Sequence, residues 1–446
     1  MQQQDFKRIF IYKVSIVAAL GGLLFGFDTA IISGTIAHLS SYFSLSALSL
    51  GWAVGCILIG CAFGAALAGK LADDYGRKKV LVVCAVLFAL SGLGAALSAN
   101  LPAFISFRIL GGLGVGAAAM VSPMYIAESV PAGYRGRLVS LYQLAIVVGI
   151  LLAYGSNYYF ESFAHNWRWM FGSQVVPALI FLFMLGLVPE SPRWLIQKGH
   201  SAEGLAVLDR STGHENALAQ YHQILASCQQ PKATSPQINQ LFSKTYRQVI
   251  VIGVMVAVFQ QVTGINSILY YAPVIFRQTG LSSSSAILQT IGIGIINVLA
   301  TFVAIGLVDR LGRKTFLLTG SLLMGISLSG IALCFHHQYF EHYLVLAFML
   351  LYVGAFGATL GAVTWVYLSE IFPGRVRGLG LSVATLSLWL ADFLVTYSFP
   401  YLNERLGTSG IMALYALCCL SAFVFFFFRL PETKGKTLEE IEHLFI

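Results

Sequence analysis

The sequence predicts an all-α membrane protein whose chain crosses the bilayer twelve times. Of its 446 residues, 57% are hydrophobic and only 10% are charged, whereas soluble domains carry about 25% charged residues. The apolar runs are about 20 residues long, which is the length of a helix that crosses the hydrocarbon core. Membrane β-barrels use shorter segments of alternating polarity, so the runs favour helices, whose backbone polar groups are satisfied within each segment.

Twelve apolar segments follow one another along the chain. A polar stretch separates the sixth from the seventh, and its apolar residues recur at helical spacing, which predicts short amphipathic surface helices. The apolar segments lie near 12–37, 48–70, 79–97, 101–128, 138–160, 170–188, 247–276, 285–308, 315–335, 341–370, 378–401 and 409–430.

The loops at one end of these segments hold most of the basic residues. The positive-inside rule places that end, with both termini and the central polar stretch, in the cytoplasm. The net charge of the chain is +8, but the basic residues are dispersed among the short loops, so it does not indicate a nucleic-acid-binding surface. The basic residues concerned are Lys7, Arg8, Lys13, Arg77, Lys78, Lys79, Arg135, Arg137, Arg310, Arg313, Lys314, Arg375 and Arg377.

Three charged motifs of the first half recur in the second half, displaced by nearly the same distance along the chain. They are Asp73-x-x-Gly76-Arg77-Lys78 with Asp309-x-x-Gly312-Arg313-Lys314, Glu128 and Arg135 with Glu370 and Arg377, and Pro189-Glu190-Ser191 with Pro431-Glu432-Thr433. Such repeats are typical of transporters whose halves rock about a site near the bilayer midplane. We therefore predict an N-terminal six-helix half at 1–189, a cytoplasmic linker at 190–245, a C-terminal six-helix half at 246–430 and a cytoplasmic tail at 431–446.

Two charged residues, Asp28 and Arg108, each stand alone inside an apolar segment. A charge at the bilayer centre costs roughly 2.5–3.5 kcal/mol on insertion scales, so we expect each to face a wet cavity or the other charge. An acid beside a base can gain and lose a proton, which is the property that a proton-driven carrier needs. The alternative is a permanent ion pair that only fixes two helices.

The repeated acids and bases lie at helix ends on the predicted cytoplasmic side. We expect salt bridges between the two halves at these residues to stabilise the outward-open state and to break when the inside opens. The alternative is that they set the topology and form exposed pairs worth about 0–1 kcal/mol each. The predicted gating residues are Asp73, Arg77, Glu128, Arg135, Glu190, Arg193, Asp309, Arg313, Glu370, Arg377 and Glu432.

The seventh apolar segment contains the stretch FQQVTGINSILYYAP, which predicts a substrate site. The adjacent amides of Gln260 and Gln261 are costly in lipid unless they face a cavity, and an amide offers donors and an acceptor that match sugar hydroxyls. A kink at Gly264 would place Asn266 beside them, and Tyr271 would close over the ligand. The alternative is that the amides bond to neighbouring helices.

Motifs along the whole chain are shared with a known family. They read GGLLFGFDTAIISG, LADDYGRKK, RILGGLGVG, PESPRWL, QQVTGINSILYYAP, DRLGRK, LSEIFPGRVRG and PETKGKT. The chain resembles the sugar porters of the major facilitator superfamily, and among them the bacterial proton-linked xylose and hexose symporters. The resemblance implies the major facilitator fold of two pseudo-symmetric six-helix halves, alternating access and a bacterial cytoplasmic membrane.

The resemblance also implies roles for individual residues. Gln143, Asn297 and Trp365 match positions that contact sugar in the family. Phe25 lies one turn before Asp28 in the sequence, and its aromatic ring is a further candidate to stack on the sugar. Asp28 would carry the proton and Arg108 would modulate its proton affinity. The predicted substrate-binding residues are Phe25, Gln143, Gln260, Gln261, Asn266, Tyr271, Asn297, Trp365 and Asp392.

The chain departs from the family pattern at four positions in these segments. Ala362 replaces a usual proline, Ile150 replaces the glutamine of the xylose carriers, and Leu388 and Asp392 replace usual amides. Asp392 has three possible roles: to accept hydrogen bonds from sugar hydroxyls, to titrate as a second proton site, or to contact a neighbouring helix. These departures leave the identity of the sugar open.

We expect a proton-coupled importer of a neutral hexose or pentose. No enzymatic activity, cofactor or nucleic-acid partner is expected, the seven Cys residues show no metal-binding spacing, and nothing demands more than a monomer. The alternatives are an uncoupled sugar or polyol facilitator and a sugar sensor. Animal glucose facilitators generally have asparagine at the place of Asp28, so the acid favours coupling, and sensors usually carry a longer cytoplasmic tail.

Overall fold

A computed structural model describes residues 2–229, 244–340, 343–373, 376–436 and 440–441. Part of the predicted linker, 230–243, and much of the predicted tail lie outside the described residues. The side chain of Asp309, one of the predicted gating residues, also lies outside them.

The chain up to the linker forms long apolar helices. α1 and α2 follow each other so closely that they make one apolar stretch, Arg8–Tyr42. The helices are α1 (Gln2–Ala30), α2 (Ile32–Tyr42), α3 (Ala47–Tyr75), α4 (Arg77–Leu97), α5 (Leu101–Ser129), α6 (Ala132–Phe160), α7 (Asn166–Ser173) and α8 (Val175–Gly186).

Three short helices begin the predicted linker: α9 (Pro192–Gln197), α10 (Ser201–Thr212) and α11 (His214–Gln229). Their apolar side chains form small buried clusters, one of which contains Trp194 and Val207. Burial of one face of each short helix explains the helical spacing of the apolar residues in this polar stretch.

The rest of the chain is again built from long helices. They are α12 (Lys244–Val262), α13 (Ile265–Gln278), α14 (Ser283–Leu311), α15 (Arg313–His336), α16 (Leu344–Ala358), α17 (Leu360–Ile371) and α18 (Arg377–Arg429). The predicted kink at Gly264 is present, because this residue separates α12 from α13 with a φ of +91°. Such a backbone conformation is one that glycine adopts readily.

The described residues form helices and no strand, as the sequence predicts. Eleven of the described helical stretches are long and apolar enough to cross a membrane. The last of them, α18, has 53 residues and bends at Gly407, where φ is +69°. α18 therefore supplies the last two of the twelve predicted spans.

The chain forms two compact units. The first unit consists of Met1–Thr29, Gly60–Ala153 and Arg168–Ser235, and the second unit consists of Ala30–Ile59, Tyr154–Trp167 and Pro236–Ile446. These contact-defined units are not the predicted halves, since α2 and the end of α6 belong to the second unit. The halves at 1–189 and 246–430 remain a prediction.

Within the second unit, α2 and the end of α6 lie against α13. The buried Tyr154 of α6 donates a hydrogen bond from its hydroxyl to the backbone oxygen of Leu269, at 3.0 Å. Nearby, His38 and Glu161 lie 3.2 Å apart, and the amide of Asn166 bonds to the His38 ring at 2.9 Å. Polar contacts therefore join the end of α6 to α13 and to α2.

Within the first unit, helices approach so closely that only glycine fits at the contact. A Cβ on Gly26 of α1 would collide with the backbone of Ile146 in α6, and a Cβ on Gly116 of α5 would collide with the backbone of Cys61 in α3. Small residues of this kind let membrane helices pack backbone to backbone.

Replacing Gly116 by alanine should therefore destabilise the protein by roughly 1–3 kcal/mol, which is the usual cost of overpacking. The backbone nitrogen of Ala65 would lie only 2.7 Å from the added Cβ. Gly69→Ala is the matched control, because nothing lies within 4 Å of that Cβ. Thermal unfolding in detergent gives the melting temperature of each variant. Equal melting temperatures of the two variants would contradict the close contact between α5 and α3 at Gly116.

Candidate functional site

Asp28 of α1 and Arg108 of α5 form an ion pair in the first unit. Both side chains are fully buried. The Arg108 guanidinium donates from Nη1 to Asp28 Oδ1 and to the backbone oxygen of Asp28 at 3.1 Å, and it lies 5.4 Å from the centroid of the Phe171 ring. The structure thus brings together the two lone charges that the sequence places in separate apolar segments.

The ion pair leaves polar atoms of both residues without partners. Among the described residues, Asp28 Oδ2 and the Nε and Nη2 atoms of Arg108 have no hydrogen-bond partner. Gln174 lies beside the carboxylate without a well-formed hydrogen bond to Oδ2, and the space next to this buried oxygen exists because residue 111 is glycine, since a Cβ there would lie 2.7 Å from it. One carboxylate oxygen is therefore available to accept a proton.

A chain of polar side chains joins α12, α13 and α18 in the second unit. Asn266 donates from Nδ2 to Gln261 Oε1 at 3.0 Å and to Asp392 Oδ2 at 2.7 Å. Gln261 in turn contacts Gln260 Oε1 at 3.4 Å, and Thr396 donates to Asp392 Oδ1 at 3.2 Å. Four of the predicted substrate residues are therefore brought into one hydrogen-bonded network, which we call the amide network.

Gln260 has a second contact that the sequence did not reveal. Its Nε2 donates to the backbone oxygens of Leu360 at 3.1 Å and Gly361 at 3.4 Å. These carbonyls follow the break between α16 and α17, where Thr359 has φ −127° and ψ −92°. The amide therefore bonds to the first turn of α17, which is the interhelical bonding considered as the alternative to substrate contact.

The other predicted substrate residues occupy different places. Tyr271 is buried, and its ring stacks on that of Phe399 with centroids 4.5 Å apart. Asn297 of α14 is buried, whereas Trp365 of α17 is 38% exposed. The two that lie in the first unit, Phe25 of α1 and Gln143 of α6, are both partly buried.

The departures from the family pattern also have defined surroundings. Leu388 and Ile150 are both buried, as expected of aliphatic residues that replace amides. The helix interruption at Thr359 lies three residues before Ala362, so the tenth span breaks although the usual proline is missing.

In the first unit, a charged cluster fixes the start of α4. Arg77 pairs with Glu128 at 2.8 Å and with Asp73 at 3.0 Å. Glu190 accepts hydrogen bonds from the backbone N–H groups of Arg77 at 2.9 Å and Lys78 at 3.0 Å. Because the first N–H groups of a helix lack intrahelical partners, the Glu190 carboxylate caps α4.

The second unit repeats this arrangement at the start of α15. Arg313 pairs with Glu370 at 3.0 Å, and Glu432 accepts from the backbone N–H groups of Arg313 at 2.9 Å and Lys314 at 3.1 Å. A hydroxyl completes each copy, since Ser191 bonds to Glu128 at 2.6 Å and Thr433 bonds to Glu370 at 2.7 Å. The repeated sequence motifs thus fold into the same local structure.

Within these clusters the acid and the base of one sequence motif do not pair with each other. Glu128 and Glu370 pair with Arg77 and Arg313 rather than with the arginines seven residues later. Arg135 instead donates to the backbone oxygen of Ala127 at 2.9 Å, and Arg377 donates to that of Phe372 at 3.1 Å. Arg193 is exposed.

Replacing Glu190 by alanine should destabilise the protein by about 1–2 kcal/mol, because α4 would lose its cap. Glu203→Ala is the matched control, since the Glu203 side chain is 71% exposed. Chemical unfolding in detergent compares the variants. The cap assignment would be wrong if both variants kept the stability of the native protein.

Comparisons with known proteins cover nearly the whole chain. Residues 14–445 match the family model described as "Sugar (and other) transporter". The chain is 40% identical to the D-xylose-proton symporter of Escherichia coli strain K12, over 99% of this chain and 96% of that protein. It is 37% identical to the arabinose-proton symporter of Bacillus subtilis strain 168, over 98% and 95% of the two chains.

Solved structures of a transporter are also similar to this chain over nearly its whole length. The inward open conformation of the xylose transporter XylE from E. coli matches with a TM-score of 0.87 and 40% sequence identity, over 98% of this chain and 100% of that chain. The proton:xylose symporter XylE bound to 6-bromo-6-deoxy-D-glucose matches with a TM-score of 0.82 and 39% identity, over 99% and 100%.

Proposed function

The chain belongs to the sugar transporter family of the major facilitator superfamily, and we propose that it imports a neutral monosaccharide together with protons. The observation that carries the proposal is the fully buried pair of Asp28 and Arg108. An ionisable pair inside a membrane domain marks an ion pathway. The family is one of transporters rather than enzymes, and relatives named as proton symporters match along nearly their whole length.

In the proposed mechanism, Asp28 carries the proton. Protonation of Oδ2 makes the carboxyl neutral, so its attraction to Arg108 weakens. The interaction that holds α1 against α5 weakens with it. Loss of the proton restores the pair and lets the empty carrier return. One proton that crosses 100 mV contributes roughly 2.3 kcal/mol, and at about 1.4 kcal/mol per decade this supports roughly 40–50-fold accumulation.

The sugar is proposed to bind at the amide network. Asn266 donates to both Gln261 and Asp392, and sugar hydroxyls can replace either bond. The three side chains together offer donors and acceptors. The exposed indole of Trp365 would supply a flat apolar face for the sugar ring. Gln260, Tyr271, Asn297, Phe25 and Gln143 are further proposed contacts. The departures at Leu388 and at Asp392, which is itself part of this network, are the reason that the proposal names no particular sugar.

The carrier is proposed to act in a bacterial cytoplasmic membrane, with both termini on the cytoplasmic side. Basic loops at the ends that carry the charged clusters support this orientation. Arg77 and Arg313 would hold those ends in the outward-open state, and the carrier would act as a monomer.

Asp28→Asn should abolish net uptake while the carrier still exchanges labelled sugar for unlabelled sugar. Asparagine imitates the protonated acid but cannot ionise, so Arg108 is never paired again and the empty carrier cannot return. Proteoliposomes with an imposed proton gradient measure both processes. Net accumulation by the variant would remove Asp28 from the coupling step, whereas native uptake that ignores the gradient would indicate an uncoupled facilitator.

Gln261→Ala should weaken sugar binding about fivefold or more, because the loss of one hydrogen bond to a buried hydroxyl costs on the order of 1 kcal/mol. Gln223→Ala, on the exposed surface of α11, is the matched control. Calorimetric titration of the purified proteins with a panel of monosaccharides gives the affinities. Native affinity of Gln261→Ala for every sugar bound would place the pocket elsewhere.

A further inference from the structure

The second buried acid, Asp392, differs from Asp28 in its partners. Its side chain is 1% exposed, and the groups that bond to its carboxyl are the amide of Asn266 and the hydroxyl of Thr396. Among the described residues, no Lys, Arg or His side chain forms an ion pair with it. A buried carboxylate without a cation is strongly disfavoured, and two neutral hydrogen bonds offset only part of that cost.

The hydrogen bonds around Asp392 accommodate both of its charge states. Asn266 Nδ2 can donate to Oδ2 whether or not the other oxygen is protonated. Thr396 Oγ1, 3.2 Å from Oδ1, donates to the ionised carboxylate and accepts from the protonated one, because a hydroxyl is both donor and acceptor. A proton can therefore arrive or leave without a change of rotamer.

In the part of the chain that the structure describes, the other titratable groups that interact with Asp392 are tyrosines. Tyr271 of α13 donates from its hydroxyl to the backbone oxygen of Thr396 at 3.5 Å, and the hydroxyl of Tyr415 in α18 lies within electrostatic range of the carboxylate. Neither offers a positive charge to the carboxylate. The surroundings on α13 and on both parts of α18 thus favour the neutral acid.

Asn266 connects this acid to the proposed sugar site. The same Nδ2 atom bonds to Gln261 at 3.0 Å and to Asp392 at 2.7 Å. A sugar hydroxyl that accepts a hydrogen bond from the Asn266 amide removes a donor from the ionised carboxylate, so sugar binding favours protonation of Asp392. By linkage, protonation of Asp392 must favour sugar binding to the same degree. Symport requires such positive coupling between the proton and the sugar.

We propose that Asp392 is a second proton-binding site, which is loaded with the sugar and emptied with it, so that the carrier moves two protons for each monosaccharide. The inference rests on the proposed function, since it concerns the same network. The proton leaves the outer solution for Oδ1 and is released to the inner solution after the sugar departs, while no covalent bond other than O–H forms or breaks.

The charge moved with each sugar can be measured as a reversal potential. The purified native protein is reconstituted in proteoliposomes at equal pH on both sides, with a tenfold gradient of the sugar that it transports best. The voltage that stops net transport is about 59 mV for one charge per sugar and about 30 mV for two. We expect about 30 mV for the native protein and for Glu203→Gln, and about 59 mV for Asp392→Asn.

Each outcome has a distinct meaning. A native reversal near 59 mV overturns the second proton site, even if Asp392→Asn does not fold. A reversal near 30 mV in both the native protein and Asp392→Asn also overturns it, because the second charge would then travel elsewhere. Sugar uptake that no voltage affects would instead contradict the proposed proton symport itself, so failure of the inference and failure of the function are distinguishable.

Discussion

The buried ion pair between Asp28 and Arg108 is the constraint on which the first unit depends. Each charge alone would be costly in a membrane domain, and removing one partner of a buried pair typically costs 3–5 kcal/mol. The pair is therefore stable only while both helices stay in place and the acid stays ionised. A single proton can change that balance, so one interaction serves both the packing of α1 on α5 and the proposed energy coupling.

The charged clusters and the amide network place their polar groups under different constraints. Glu190 and Glu432 accept backbone N–H groups that have no helical partner, and the arginines beside them are held by Glu128 and Glu370. These acids are saturated with strong, charge-assisted bonds, which suits them to fix helix ends. In the amide network, by contrast, neutral side chains mostly bond to one another, and such bonds can be exchanged for those of a ligand at little cost.

Much of the fold could be predicted because lipid restricts the choices. Long apolar runs must be helices. The repeated motifs predict two copies of one local structure, and Glu190 and Glu432 indeed cap their helices in the same way. The sequence also singled out Asp28 and Arg108, since lone charges in apolar segments are conspicuous. The partners within the clusters were less accessible, because spacing along the chain does not say which arginine of a neighbouring helix lies closest to Glu128. The bond from Gln260 to the first turn of α17 was equally hidden, because no motif marks which backbone carbonyl of another helix a side chain reaches.

The central claim is that sugar and protons move together. Proteoliposomes loaded with a pH-sensitive dye, at equal pH and with the membrane voltage clamped near zero by potassium and valinomycin, test it without any variant. When a transported monosaccharide is added outside, proton symport predicts that the lumen becomes acidic, at a rate that follows the uptake of labelled sugar. Uptake of the sugar with no change of luminal pH would contradict the account.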